Sequence, residues 1–324
     1  MNESGKNNAG VPIWVIDILV CPYCGNKLSL PDNKIVCSHC SAIGTVNNSI
    51  LCFSVPEDDP SISWYTDVGG TNFDDRIKIP YTMSSLDIPI YKKYIRELLS
   101  ENDDGFIADL GAGDGRITEE LLRAGAKHVV ATDAVYASLQ RLQRRLSKMN
   151  PELLENLALI QSDFRTIPLQ SESIHLLFAI EAFCFLNEDY TAALKECRRL
   201  LQKGGRALIS ERSWEGAMVT CLLYSGIKQM LETGRTGYMI DGFGNDMLRS
   251  RCFTEQELLE ILQSHGLQPL RCEGTPILSI LLGYLRGEGK IPGTDVGYFE
   301  EVTEFFKTYS SIAEHRRTHI VIAE

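Results

Sequence analysis

The chain has no apolar run long enough to cross a membrane. Its most hydrophobic late stretch, Leu278 to Leu285, falls well short of the roughly 20 residues a spanning helix needs. It has no internal repeat or low-complexity tract, which argues against solenoid and fibrous architectures. It also lacks a secretory leader pattern: the apolar segment Val11 to Val20 contains Asp17 and has neither a basic flank nor a small-residue cleavage site. The expectation is a cytoplasmic, reducing environment with no membrane partner. An excess of positive charge is missing too. The formal net charge is -11, which raises the cost of approaching a polyanion and disfavours a nucleic-acid substrate. Basic residues do cluster at Arg141, Arg144, Arg145 and Lys148, and at Arg198 and Arg199. Their helical spacing and alternation with leucine read as solvated faces of amphipathic helices. With 324 residues, 44% hydrophobic and 23% charged, there is room for one full catalytic domain and a small satellite.

The strongest signal is Ile107-Ala-Asp-Leu-Gly-Ala-Gly-Asp-Gly115, a short apolar strand that runs into glycines at alternate positions. Glycine lets the chain turn sharply and admits a ligand against the main chain, and helical character follows from Arg116. A dinucleotide fingerprint places its third glycine one residue later, where this chain has Arg116. Downstream, His128 to Thr132 reads as a strand closing on Asp133, whose carboxylate suits a ribose diol. Leu157 to Ser162 is a third strand, ending in Asp163-Phe164. Ile174 to Ile180 is a fourth, continuously apolar as a doubly covered strand should be. A helix from Asp189 to Leu201 then passes through Lys203-Gly204-Gly205 into a strand at Arg206 to Ser210.

Asp109-x-Gly-x-Gly-x-Gly resembles motif I of the class I S-adenosylmethionine-dependent methyltransferases, and the later pieces recur in that family's order over residues 86 to 212. The resemblance implies an α/β fold with a Rossmann-like seven-stranded sheet carrying helical insertions. It also implies S-adenosylmethionine held by Asp109, Gly111, Ala112, Gly113, Gly115, Asp133, Ala134, Ser162, Asp163, Phe164 and Ile180. The family's Asn/Asp-Pro-Pro-Tyr motif is absent: residues 180 to 183 read Ile-Glu-Ala-Phe. That points away from amino methylation of adenine or glutamine and towards an oxygen, carbon or simpler nitrogen nucleophile. Glu181 and Glu211, at carboxyl ends of inferred strands, are the candidate catalytic bases, with a structural ion pair as the alternative for each.

Upstream, Cys21-Pro-Tyr-Cys24 and Cys37-Ser-His-Cys40 form two knuckles separated by residues 25–36. Their four thiolates can meet tetrahedrally around one zinc ion. A pair of disulfides or a redox dithiol is the competing reading, and His39 is read as a bystander. The segment from Trp14 to Cys24, with residues 48–51, resembles the zinc-ribbon proteins that activate tRNA and release-factor methyltransferases. It is also similar to the zinc domains of bacterial rRNA guanine methyltransferases. A closed four-thiolate site implies a structural Zn2+.

These anchors divide the chain into a tail and zinc ribbon at 1–55, a linker and pocket-entrance segment at 56–89, and a methyltransferase domain at 90–324. Two excursions interrupt that last unit, a lid at 214–252 and a helical insertion at 283–311. Tyr81, Tyr238 and Asp241 are the candidate substrate contacts. The leading reading is methylation of a small molecule, such as a specialised metabolite, in an enclosed pocket. The alternatives are an RNA methyltransferase that presents its substrate on the ribbon, or a non-catalytic scaffold. The ribbon is also a candidate surface for homodimerisation or a protein partner.

Overall fold

The computed structural model describes residues 5–56, 58–67, 83–99, 104–186, 189–243, 246–290 and 316–324. Near the amino terminus a single helical turn α1 (Ile13–Ile16) precedes the strands β1 (Leu28–Ser29), β2 (Lys34–Cys37), β3 (Ser41–Asn47) and β4 (Ile50–Phe53). The helices α2 (Pro60–Asp67) and α3 (Met83–Leu98) follow. The next alternating stretch contains β5 (Phe106–Leu110), α4 (Arg116–Arg123), β6 (His128–Asp133), α5 (Tyr136–Met149), β7 (Leu157–Gln161), β8 (Ile174–Ile180), α6 (Tyr190–Leu200) and β9 (Leu201–Arg212). The excursion after β9 consists of α7 (Trp214–Tyr224), α8 (Ile227–Thr236) and the hairpin β10 (Tyr238–Phe243) and β11 (Asp246–Arg251). The chain then forms α9 (Glu255–Ser264), β12 (Pro269–Pro276), α10 (Leu278–Gly287) and β13 (Arg316–Ala323).

The expected seven-stranded sheet is present, in the order β7-β6-β5-β8-β9-β13-β12. The first five of these strands run parallel, and β13 pairs antiparallel with both β9 and β12. Because β13 runs the opposite way, its first residues lie at the carboxyl edge of the parallel strands, where Thr318 pairs with Arg212. Helices pack on both faces, and the buried side chains of β5, β6 and β8 form the middle layer.

The amino-terminal strands add to this sheet. β4 pairs in parallel with β7, Ile50 opposite Leu159 and Leu51 opposite Ile160, so β1 to β4 extend the sheet to eleven strands. An exposed β7 would present a row of unpaired amide and carbonyl groups, and β4 covers that edge. Ile50 and Leu51 are fully buried in the join, each contributing about 2 kcal/mol of apolar transfer. Trp14 adds a stack on Phe106 at 5.9 Å and an edge contact with His128 at 5.1 Å.

The structure lengthens several expected elements. β9 takes in Lys203-Gly204-Gly205 and runs on to Arg212, and the excursion after it opens with two helices separated at Gly226. After Gly237 the excursion makes the β10–β11 hairpin, Tyr238 pairing with Arg251. Most of the 283–311 segment, and Tyr81 with it, lies outside the described residues.

Candidate functional site

The carboxyl edge of the sheet carries a cavity of about 380 Å3. On one side it is built by the glycine turn after β5. Gly113 has φ +54°, and a Cβ added there would project into open space, so this position keeps the main chain accessible. Gly115 has φ +80°, and a Cβ there would collide with Leu142, so its role is the close seating of α5 on the turn. Arg141 and Arg145 strengthen that seating. Arg141 pairs with Asp114 at 2.8 Å, and Arg145 donates to the Asp114 carbonyl at 2.6 Å. Half of the basic stripe that reads as a solvated face is therefore tied to the motif I turn.

Asp133, at the end of β6, accepts from the N–H of Gly113 at 2.7 Å and from that of Val135 at 2.8 Å. Burial pushes its carboxyl up to about 6, against the pull of these two amides. Ser162 follows β7 and is bonded to the Asp133 carbonyl at 3.1 Å. Asp163 is paired with Arg165 at 2.8 Å, and the Phe164 ring lies 5.1 Å from Phe183. Gly111, Ala112, Gly113, Asp133, Ala134, Ser162, Asp163, Phe164 and Ile180 all line the cavity. Asp109 does not: it sits behind the wall, accepting from the Thr118 hydroxyl at 2.6 Å and locking the first turn of α4. Gly115 is also outside the lining.

The opposite side of the cavity is charged. Glu181 has φ +52°, a strained conformation for a non-glycine residue, held by its N–H to the Ser210 carbonyl at 2.6 Å. Its carboxylate accepts from Arg317 Nη2 at 2.9 Å and lies 3.6 Å from both Arg116 Nη2 and Arg212 Nε. Burial alone would raise this carboxyl, but the guanidiniums of Arg317, Arg116 and Arg212 together hold it well below the usual carboxylate range. A carboxylate so strongly held as an anion is a poor proton acceptor, which favours the ion-pair alternative for Glu181 over the base. Arg317 also pairs with Asp87, which burial pushes up to about 6.

Glu211 is fully buried and does not line the cavity. One of its oxygens accepts from the N–H groups of Ala182 and Phe183, at 3.2 and 2.8 Å, and the other from Cys184 at 3.0 Å. Its place is beneath the loop after β8, behind the cavity wall, and burial pushes its carboxyl up to about 8.

The excursion after β9 lines the cavity with Gly216, Ala217, Thr220 and Met239, and α2 lines it with Ile62 and Tyr65. Tyr238 is turned elsewhere. Its ring is buried under the guanidinium of Arg249 at 3.5 Å, and strand alternation gives the cavity its neighbour Met239 instead. The side chain of Asp241, like Tyr81, is outside the described residues. Asp87, Arg212 and Arg317 are charged lining groups that the sequence reading did not select. Arg212 follows Glu211 at the end of a parallel strand and could have been found; Arg317 needed the antiparallel direction of β13.

Away from this cavity, the sulfurs of Cys21, Cys24, Cys37 and Cys40 lie within 4.8 Å of one another, with no disulfide among them. The Cys24 sulfur is 3.5 Å from those of both Cys37 and Cys40, close to the edge of a tetrahedron around an ion with bonds of about 2.3 Å. The N–H of His39 faces the Cys37 sulfur at 3.4 Å, while the exposed His39 side chain is not part of the cluster.

Residues 107–205 match the family model described as a methyltransferase domain. Among similar proteins, an uncharacterised methyltransferase of Schizosaccharomyces pombe is 26% identical over 190 residues, 55% of this chain and 70% of that protein. A malonyl-acyl-carrier-protein O-methyltransferase of Xylella fastidiosa is 32% identical over 105 residues, so the chain spans only 34% of its length and the match 32% of this chain. A solved Listeria monocytogenes chain, described as an S-adenosylmethionine-dependent methyltransferase, superposes with a TM-score of 0.51 at 13% identity, covering 74% of this chain and 98% of its own. The PH0226 protein of Pyrococcus horikoshii gives 0.50 at 13% identity over 84% and 99%. At such identities the structural likeness carries the fold alone.

Proposed function

The chain carries an S-adenosylmethionine-dependent methyltransferase domain, and from that premise we propose that it methylates a small molecule in an enclosed pocket at the carboxyl edge of its sheet. The observation that carries this reading is the cavity itself. α2 on one side and the α7–β10 excursion on the other line it together with the sheet, where a polymer substrate would need an open basic groove. The net charge of -11 supports the same side.

In this reading the Gly111–Gly113 turn, Asp133, Ala134, Ser162, Asp163, Phe164 and Ile180 hold the cofactor, with Asp133 taking the ribose hydroxyls. The bound cofactor supplies an electrophilic methyl group. The protein's contribution is to align the acceptor and exclude water, acting on oxygen, carbon or a simple nitrogen. Asp109 and Gly115 support the turn from behind. The four cysteines hold one structural zinc, and residues 1–55 act as an extension of the sheet that fixes β7 and the adenine end of the cleft.

Titration calorimetry with S-adenosylhomocysteine tests the cofactor site and should show one site per chain. Binding of bulk RNA at low and moderate salt tests the acceptor class. A steep salt slope with affinity retained at moderate salt would favour the RNA reading over the small molecule.

A further inference from the structure

Six carboxylates line the cavity, those of Asp59, Asp87, Asp114, Asp133, Asp163 and Glu181. Five are met by donors that fix them where they stand. Ser61 holds Asp59, Arg141 holds Asp114, the Gly113 and Val135 amides hold Asp133, Arg165 holds Asp163, and Arg317 holds Glu181. Asp87, near the start of α3, differs. It is 1% exposed, and its Oδ2 accepts from Arg317 while its Oδ1 is buried with no hydrogen-bond partner among the described residues. A bare carboxylate oxygen in such a place is costly until a donor joins it. Tyr91, one turn further along α3, is engaged elsewhere, its hydroxyl 2.8 Å from that of Ser210.

Asp87 stands on the acceptor side of the cavity. The main chain of its partner Arg317 approaches Gly216 of α7 so closely that an added Cβ there would lie 2.7 Å from it, and Gly216 and Ala217 line the cavity. The rest of that side is apolar: Ile62, Tyr65, Phe185, Leu186 and Met239. The Tyr65 and Phe185 rings meet edge to face at 5.4 Å, a wall suited to a flat aromatic molecule. Among the described residues no histidine, lysine or cysteine lines the cavity.

Resting on the small-molecule methyltransferase reading, we propose that the methyl acceptor is a hydroxyl on an aromatic ring and that Oδ1 of Asp87 is the base that takes its proton. In the step, that proton passes to Oδ1 while a lone pair of the hydroxyl oxygen forms the new C–O bond to the methyl carbon of S-adenosylmethionine. The C–S bond breaks and its electron pair stays on sulfur. A carboxylate, a phenol and a sulfonium become a carboxylic acid, a methyl ether and a thioether, and Asp87 later returns its proton to water. Arg317, bound to Oδ2, keeps Oδ1 turned to the acceptor. The charged groups facing Asp87 are Arg317, Glu181 and Arg116, and burial outweighs the two guanidiniums, pushing its carboxyl up to about 6. A base in that range is ionised at neutral pH and still able to accept a proton. A phenol, with a pKa near that of tyrosine at roughly 10, is within its reach.

The test incubates the full chain with methyl-tritiated S-adenosylmethionine and phenols of graded acidity, from 4-methoxyphenol, protonated at neutral pH, to pentafluorophenol, ionised there. The anilines and benzoic acids of the same skeletons form the comparison panel, since neither needs a base. The expected result is labelled methyl ether from the phenols and no label from the comparison panel. Asp87→Asn should lower turnover of 4-methoxyphenol about a hundredfold and that of pentafluorophenol by less than about threefold, with S-adenosylhomocysteine affinity within a factor of about two of the parent. A merely structural Asp87 would depress all phenols alike, and that outcome, or unchanged turnover, overturns the proposal. If the variant folds poorly, the unaltered chain decides: at saturating cofactor, which removes the titration of Asp133 from the readout, turnover of 4-methoxyphenol should fall about tenfold per pH unit below about 6. A flat profile there overturns the base. Label in the anilines or acids alone keeps the small-molecule reading and overturns this one. Failure to bind S-adenosylhomocysteine would instead overturn the cofactor reading beneath both.

Discussion

The main-chain N–H of Gly113 donates to Oδ2 of Asp133 at 2.7 Å, so the glycine turn after β5 is fastened to the acidic end of β6 across the floor of the cleft. One carboxylate thus shapes the turn and, in the proposed reading, would also accept from a ribose. Asp133→Ala removes both functions. S-adenosylhomocysteine affinity should fall by about 2 kcal/mol or more, roughly thirtyfold, as read by calorimetry. Gly113→Arg should abolish binding, because its side chain enters the cavity from a position where nothing else would stop it. Unchanged affinity in both variants would remove this cleft from consideration.

The same carboxylate predicts a pH dependence. Burial raises the Asp133 carboxyl from its ordinary value to about 6, so below that pH it carries a proton and loses acceptor capacity for the diol. S-adenosylhomocysteine affinity should hold above pH 6 and fall by up to about tenfold per unit below it. For folding the sign is opposite. The native state holds this proton more tightly than the unfolded chain, so this group's contribution to stability declines as pH rises through the window between its ordinary value and about 6. Asp133→Asn should flatten the binding profile. Asp87 and Asp109, both also raised to about 6, remain in that variant as controls.

Glu211 gives a prediction that separates a structural anchor from a base. Glu211→Ala leaves the N–H groups of Ala182, Phe183 and Cys184 without their acceptor in a buried loop, which should cost about 3 kcal/mol and lower the melting temperature. Glu211→Gln restores an acceptor on one side only and should fall between the two. A base would behave differently, with Glu211→Gln melting like the parent and losing nearly all turnover.

The glycine-turn half of the cleft was legible in the sequence because it is local. A strand, its turn and the next strand's end lie within some twenty-five residues, from Ile107 to Asp133, and each residue type carries its own reason for being there. Of the charged half only Glu181 was picked out, because Asp87, Arg212 and Arg317 come from three other, distant segments. Arg317 arrives only because β13 runs antiparallel to β9. The β10–β11 hairpin lies inside the 214–252 excursion, where cross-strand pairing, which no local pattern announces, makes two strands. Nor does alternation in β4 say which edge it will join, so the continuity of ribbon and sheet through β7 appears only in the fold.

If the four cysteines hold zinc as proposed, that continuity would link metal to cofactor. Elemental analysis should find one zinc per chain, and Cys37→Ser should leave an incomplete tetrahedron and unravel β1 to β3. Since β4 pairs with β7, and Ser162 and Asp163 follow β7 into the cleft, loss of the metal should also weaken S-adenosylhomocysteine binding by about tenfold. Zinc-free protein with full affinity and an unchanged melting temperature would count against the structural metal.

Adjacent residues on β10 separate packing from specificity. Tyr238 is buried between Arg249 and Arg251, so Tyr238→Ala should cost about 3 kcal/mol of stability through lost packing and leave acceptor recognition intact in the protein that remains folded. Met239 lines the cavity beside Ala217 and Thr220. Met239→Leu conserves volume and should be tolerated, whereas Met239→Phe adds bulk against the acceptor. The expected result for the Phe variant is a KM raised about tenfold, about 1.4 kcal/mol, with S-adenosylhomocysteine affinity within a factor of about two of the parent. Steady-state kinetics with the methyl acceptor, set beside calorimetry on the same preparations, measures both. If Tyr238→Ala shifts KM and Met239→Phe does not, the hairpin presents its opposite face to the substrate, and the wall assigned here to Met239 must be formed by Ile62 and Tyr65 of α2.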